Sequence, residues 1–473
     1  MKREDITKSS EGVGIAWAAS VSSESSTQLA TLAKLRAWLR RRLGPAGGLR
    51  RHLAVNISGT FALNLASKLM MLAVSIFLAR LMGPRQYGVY ASAVAAVTLI
   101  GIPASLGLPS LIVREIAKYQ ARGEWGLMKG LLLRANQAAL SVIVLIALIL
   151  LGLQTQLEVR EGFTAPLIWT AFALLPLTLF GALRMAALRG LHHVVLGLIP
   201  ESLVMPLAFL FCIGLAHWFV PDALGAQTAL ALRLIAVGLA FSVGTLYLLA
   251  RLPRTLRGIC ADYQMRPWIR AALPLMWVGS MSVITTQTDV LMLVALKGPE
   301  EAGVYQIAAR GAELVAFVYA VSGIAIQPTL ARLYVQGDLI KLRQVARTAA
   351  RIMFGAAFLG VAIFTIAGSD FLVTLFGEAY AGGAVALAIL SGGWALIAFF
   401  GPTRDTLIMT GGERAAAASI SLAAILNVVL NFLLIPHFGL SGAALATMFS
   451  LISCHAGYAV AVRRRLGYWI SAV

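Results

Sequence analysis

The sequence predicts an all-α polytopic membrane protein with twelve transmembrane helices in two six-helix bundles, related by a pseudo-two-fold axis along the membrane normal. Three observations predict it: long apolar runs without charge, a lopsided placement of Lys and Arg, and motifs that recur 215 residues apart.

Of 473 residues, 59% are apolar and only 12% charged, and the mean hydropathy is +0.83. Soluble domains carry about 25% charged residues. No Asp, Glu, Lys or Arg occurs in 86–113, 135–157, 162–183, 202–221, 271–288 or 379–403, and the run 415–462 is 48 residues long. One span needs about 20 apolar residues, so that last run holds two. A soluble enzyme is excluded. A membrane barrel is excluded too, because its strands alternate polar and apolar residues and give no such runs.

Twelve spans are predicted, at 56–80, 88–108, 133–153, 165–185, 196–218, 227–249, 272–296, 303–327, 348–368, 382–403, 415–435 and 440–462. The net charge of +19 comes from 39 Lys and Arg against 20 Asp and Glu. With the N-terminus cytoplasmic, 32 of those cations fall on the cytoplasmic side. Four lie outside (Arg80, Arg85, Arg160, Lys297) and three lie inside spans (Lys68, Arg233, Arg310). Cytoplasmic loops are the ones enriched in Lys and Arg, so the basic character reads as topology rather than as a nucleic-acid surface. Both termini are expected in the cytoplasm.

The domain reading follows: a basic, mostly disordered cytoplasmic tail over 1–50, one bundle over 53–250 and a cytoplasmic linker over 251–270. A second bundle covers 271–465, and a short tail 466–473. The Ser-rich stretch 20–26 reads as disordered. Segment 34–43 mixes Arg with Leu and Trp and suits an anionic membrane surface. The apolar window at 12–21 is too short for a cleaved leader, so none is expected. The halves repeat at a fixed register: Gly83-Pro84 and Gly88-Val89-Tyr90 return as Gly298-Pro299 and Gly303-Val304-Tyr305, Pro221 returns as Pro436, and Arg189 as Arg404. Six spans per half is an even number, so both halves insert with one orientation. Two such bundles around a cleft suit alternating access.

Three segments carry a family likeness. They are Leu78-Ala-Arg-Leu-Met-Gly-Pro-Arg-Gln-Tyr-Gly-Val-Tyr90; Asp289-Val-Leu-Met-Leu followed by Gly298-Pro-Glu-Glu-Ala-Gly-Val-Tyr305 and Ala309-Arg-Gly-Ala-Glu-Leu314; and 427–447, which opens Asn427-Val-Val-Leu-Asn431. Together they resemble the polysaccharide-biosynthesis branch of the multidrug/oligosaccharidyl-lipid/polysaccharide exporter superfamily, the Wzx-type O-antigen flippases, over about residues 53–465. The resemblance implies a flippase that moves undecaprenyl-diphosphate-linked oligosaccharide across the bacterial cytoplasmic membrane for surface polysaccharide. A polysaccharide polymerase is a candidate partner, and working alone is the alternative.

Ionisable residues inside spans are the candidate site, since a charge at the bilayer centre costs ~2.5–3.5 kcal/mol on insertion scales. Asn56, Thr60, Asn64 and Lys68 are spaced by four and share one helix face. Thr60, Asn64 and Lys68, with Arg310, are expected to line a cavity for the diphosphate and sugars; Lys68 snorkelling to an interface is the competing reading. Glu313, three residues after Arg310, forms an ion pair with it or serves the cavity. Asp289 resembles the family's helix-seven aspartate and either binds a coupling H⁺ or Na⁺ or pairs with Arg310. Glu201, between Pro200 and Pro206, is an interfacial charge or, since such interruptions mark binding regions in transporters, an ion-coupling or charge-pair residue. Arg233 is expected to snorkel outwards. Asn427 and Asn431 suit hydrogen bonds between helices.

No nucleotide-binding GxxxxGK[ST] occurs, and neither His192-His193 nor Cys212, Cys260 and Cys454 have metal-ligand or disulfide spacing. No cofactor, metal or catalytic residue is therefore expected. Two alternatives compete. A cation-coupled multidrug exporter would need an acidic cavity, against Lys68 and Arg310. A membrane polymerase or ligase would need a large external loop, and every predicted external loop is under about fifteen residues, ordinary connector length.

Overall fold

A computed structural model describes residues 48–157, 164–219 and 224–472. Most of the tail expected over 1–50, Arg160 and Pro221 lie outside the described residues. Contacts divide the chain into Met1–Gly59, whose described part is helical, and Thr60–Val473, the unit described below.

Among the described residues all regular structure is helical, and ten helices are long and apolar enough to cross a bilayer. The chain is a multi-pass membrane protein. Its helices are α1 (Gly48–Ala104), α2 (Leu108–Arg122), α3 (Trp125–Leu157), α4 (Ala165–Gly190), α5 (Val194–Ile199), α6 (Met205–Phe219) and α7 (Ala226–Arg251). There follow α8 (Met265–Lys297), α9 (Pro299–Val335), α10 (Leu339–Phe376), α11 (Ala384–Phe400), α12 (Thr403–Met409) and α13 (Glu413–Leu466).

At 57 residues α1 would run ~85 Å, far beyond a ~30 Å hydrocarbon layer. It turns at Gly83, with φ 69° and ψ 173°, just before Pro84. The second Gly-Pro pair does the same: Gly298 (φ 97°, ψ 171°) ends α8 and Pro299 starts α9. Positive φ is open to glycine at little cost, and proline's fixed φ then starts the next helix. The 54-residue α13 likewise turns at Gly439.

The sequence repeat has further local counterparts. Gln86 Oε1 accepts from the Ala226 N–H that opens α7, at 3.1 Å. Glu301, 215 positions later, accepts from the Leu440 N–H that resumes α13, also at 3.1 Å. Each satisfies one of the donors a helix start leaves free. Gly88 lies against the Pro299 carbonyl and Gly303 against the Pro84 carbonyl, so closely that a Cβ on either glycine would collide with the oxygen.

Several elements depart from the sequence reading. Segment 108–122 forms a helix where a loop was expected; it buries Leu108, Leu111, Ile112, Ile116 and Tyr119 on one face, the spacing of an amphipathic helix. Tyr119 accepts from Trp268 Nε1 at 2.8 Å, which ties α2 to α8. The fifth predicted span is not one regular helix: a turn of π-helix over Pro200–Val204 separates α5 from α6, as expected where proline interrupts the backbone ladder. The last residues pack back on the fold. Ile470 is buried, and the Ala472 N–H donates to the Phe399 carbonyl at 3.0 Å.

Candidate functional site

Three cations on the membrane-spanning helices border cavities. Lys68 lies on α1 fifteen residues before the turn at Gly83, Arg310 eleven residues into α9, and Arg233 seven into α7. The first two border one cavity of about 330 Å³, with Glu313 and Phe317. Arg310 and Arg233 together border a second, of about 140 Å³, with Tyr87, Tyr90, Gln287 and Gln306. Arg233 also borders a third, of about 360 Å³, with Thr98, Ser105 and Thr178. The three cavities thus follow one another, and a guanidinium sits at each junction.

Glu313 lies between two of the cations. Its carboxylate accepts from Lys68 Nζ at 2.6 Å and from Arg310 Nη1 at 2.9 Å. One carboxylate against three cations leaves the cavity chain electropositive. Lys68 keeps 53% of its side chain accessible and Arg310 29%, so both still offer donors to an anion. Asn64 is half-buried one turn before Lys68; the side chain of Thr60 lies outside the described residues.

Arg233 does not snorkel outwards. It donates to Tyr90 Oη at 2.8 Å and faces the cavities, because the nearby hydroxyl offers an acceptor that lipid lacks. Asp289 does not pair with Arg310 either. It faces α13: Asn431 Nδ2 donates to Oδ1 at 2.8 Å, while Tyr305 Oη (2.6 Å) and the Thr447 hydroxyl bond Oδ2. Asn427 supports the group through Asn431 and Thr447. The result is a carboxyl, two amides and two hydroxyls, buried apart from the Arg310–Glu313 pair.

Glu201, in the π turn, accepts from Arg184 Nη2 at 2.8 Å. Arg184 also donates to the Phe241 carbonyl and keeps only 4% of its side chain exposed. The cation count places Arg184 on the cytoplasmic side, at the end of the predicted span 165–185; α4 continues to Gly190 and the side chain is buried. An unforeseen carboxyl is Asp405 on α12. It is buried, accepts from Gln327 Nε2 at 3.0 Å, and burial pushes it above the usual carboxylate range. Gln287 and Gln306 were also missed as cavity residues. Only Gln287 carried a signal, as part of the polar run Thr285–Asp289.

The sequence profile described as polysaccharide biosynthesis protein matches residues 53–334, more than half of the chain. The chain belongs to this polysaccharide biosynthesis protein family. No curated protein matches it. Among solved structures, this family member is similar to an inward-facing multidrug resistance MATE transporter of the MOP superfamily. That match has a TM-score of 0.69 at 16% identity, over 85% of this chain and 94% of that one. It is similar also to the lipid II flippase MurJ in an inward closed conformation, with a TM-score of 0.68 at 11% identity over 85% and 87%. A MOP superfamily transporter from Pyrococcus furiosus, described by the reverse polarity of its binding pocket, matches with a TM-score of 0.59 at 15% identity over 87% and 95%. These proteins are transporters and a flippase rather than enzymes, and the polysaccharide biosynthesis chain shares their fold.

Proposed function

We propose that the protein is a flippase for undecaprenyl-diphosphate-linked oligosaccharide, working by alternating access in the bacterial cytoplasmic membrane. The observation that carries this reading is the file of three cations along adjoining cavities, with one carboxylate among them. A diphosphate is the group such a file would hold, and arginine offers it a two-pronged donor. Asn64, Gln287 and Gln306 then meet the sugars, and the isoprenoid tail remains in hydrocarbon. Family membership and the likeness to a lipid II flippase support the same cargo class. The fold is shared equally with a multidrug transporter, but an organic cation would meet net positive charge here.

Dividing α1 at Gly83 and α13 at Gly439 turns ten spans into twelve, six in 53–250 and six in 271–465, with both termini and the linker 251–270 in the cytoplasm. The two Gly-Pro turns and the paired caps from Gln86 and Glu301 support this repeat. The Asp289 group is the proposed coupling site, for H⁺ or Na⁺. Delivery of the flipped lipid would serve a polymerase on the outer face.

The test is to remove the protein from its cell and assay the leaflet in which lipid-linked oligosaccharide accumulates. Build-up in the inner leaflet, relieved by wild-type protein and not by Lys68→Met made at the same level, is expected. Unchanged precursor and unchanged surface polysaccharide overturn the reading. For coupling, transport in vesicles should respond to pH or Na⁺, and Asp289→Asn should abolish that response; an identical response in both proteins assigns Asp289 to packing alone.

A further inference from the structure

Beside the cationic cavities lies one with almost no polar surface. It occupies about 320 Å³ between the second part of α1 and helices α3, α4 and α8, walled by Ala96, Val97, Ile146, Phe172, Leu175 and Leu291. Its single polar side chain, Ser92, is already satisfied: the hydroxyl donates to the Val89 carbonyl at 2.9 Å. A space lined by hydrocarbon has no partners for water, and within a bilayer it suits a hydrocarbon chain. Its position is specific. Residues 93, 96, 97 and 100 of α1 face it, whereas Val94, Thr98 and Gly101 face the cavity of Arg233, and Val97 borders both.

We infer that this cavity is a subsite for the isoprene units next to the diphosphate of the lipid carrier. The inference rests on the flippase reading and adds where the tail goes. Arg233 lies ~10 Å and Arg310 ~16 Å inside their helices, counted from Ala226 and Pro299. A membrane phospholipid keeps its headgroup at the surface and has no reason to reach them. A lipid whose anionic head does sit there must bring the adjoining chain into the protein, and the seam at Val97 is where an apolar chamber meets the cationic one. The volume is at the lower end for ligand pockets, so it takes a short proximal segment while the rest of the tail stays in the bilayer.

The experiment uses the full chain in nanodiscs and two photoactivatable probes. One is a polyprenyl diphosphate with a diazirine on an isoprene near the diphosphate; the other is phosphatidylglycerol with a diazirine in an acyl chain. The expected result is diphosphate-probe labelling within 92–100, 146–150, 167–175 and 291–294, competed by unlabelled polyprenyl diphosphate. Ala96→Phe, which fills the chamber, should lower that labelling at least tenfold. Probe retained by the protein but labelling other helices overturns the subsite and leaves the flippase reading intact. Equal labelling of these segments by phosphatidylglycerol also overturns it. Failure of the wild-type protein to retain the diphosphate probe overturns both. The wild-type labelling map decides even where Ala96→Phe fails to fold.

Discussion

The interior charges are held by partners that differ in kind. Arg310 and Lys68 share Glu313, so each is stabilised without being used up. Arg310→Met is expected to lower surface polysaccharide at least tenfold, with Arg310→Lys intermediate because it keeps the charge and loses the planar fork; gels of surface polysaccharide at matched protein levels measure this. The Arg184–Glu201 pair is of another kind, since Arg184 is almost wholly buried. Glu201→Ala should cost ~3 kcal/mol, because an unpaired buried charge remains. Arg184→Met with Glu201→Met should recover most of the loss in a thermal melt. Asp405 has a folded-state carboxyl raised by burial. Its protonated form is favoured in the fold, so its contribution is present below the ordinary carboxylate range and lost as pH rises past the raised value. Asp405→Asn should therefore raise the Tm at pH 8 relative to wild type and leave it little changed at pH 4; a lower Tm at pH 8 contradicts this. Lys68 was legible in the sequence because it ends a polar stripe spaced by four. The partners of Arg233 and Asp289 were not, because Tyr90 and Asn431 stand 143 and 142 residues away.

At the scale of elements, Gly88 and Gly303 allow helix starts 215 residues apart to meet against each other's proline carbonyls. Gly88→Leu or Gly303→Leu should each destabilise by ~1–3 kcal/mol through overpacking. The double substitution should cost less than the sum, since both open the same contact; additive losses in thermal melts would mean two independent sites. The Gly-Pro turns were visible in the sequence because the residue types dictate the backbone there. Helix α2 was hidden by its own charges: Arg114, Lys118 and Arg122 read as a loop, while its buried face shows only in the spacing of Leu108, Leu111, Ile112 and Tyr119. The π turn was signalled only by Pro200 and Pro206, which mark an interruption without fixing its form.

For the molecule as a whole, charge and hydropathy decide the class, because no other arrangement accommodates such long charge-free runs. Cargo is a different matter: multidrug and lipid transporters share this fold, so the sign of the interior charge must choose between them. The most direct measurement is translocation of a fluorescent polyprenyl-diphosphate oligosaccharide in vesicles containing the purified protein, read by a membrane-impermeant quencher. Wild-type protein should move the lipid between leaflets, and Lys68→Met combined with Arg233→Met and Arg310→Met should reduce the rate to that of empty vesicles. Undiminished movement with all three cations removed would contradict the electropositive path, as would transport of an organic cation in place of the lipid.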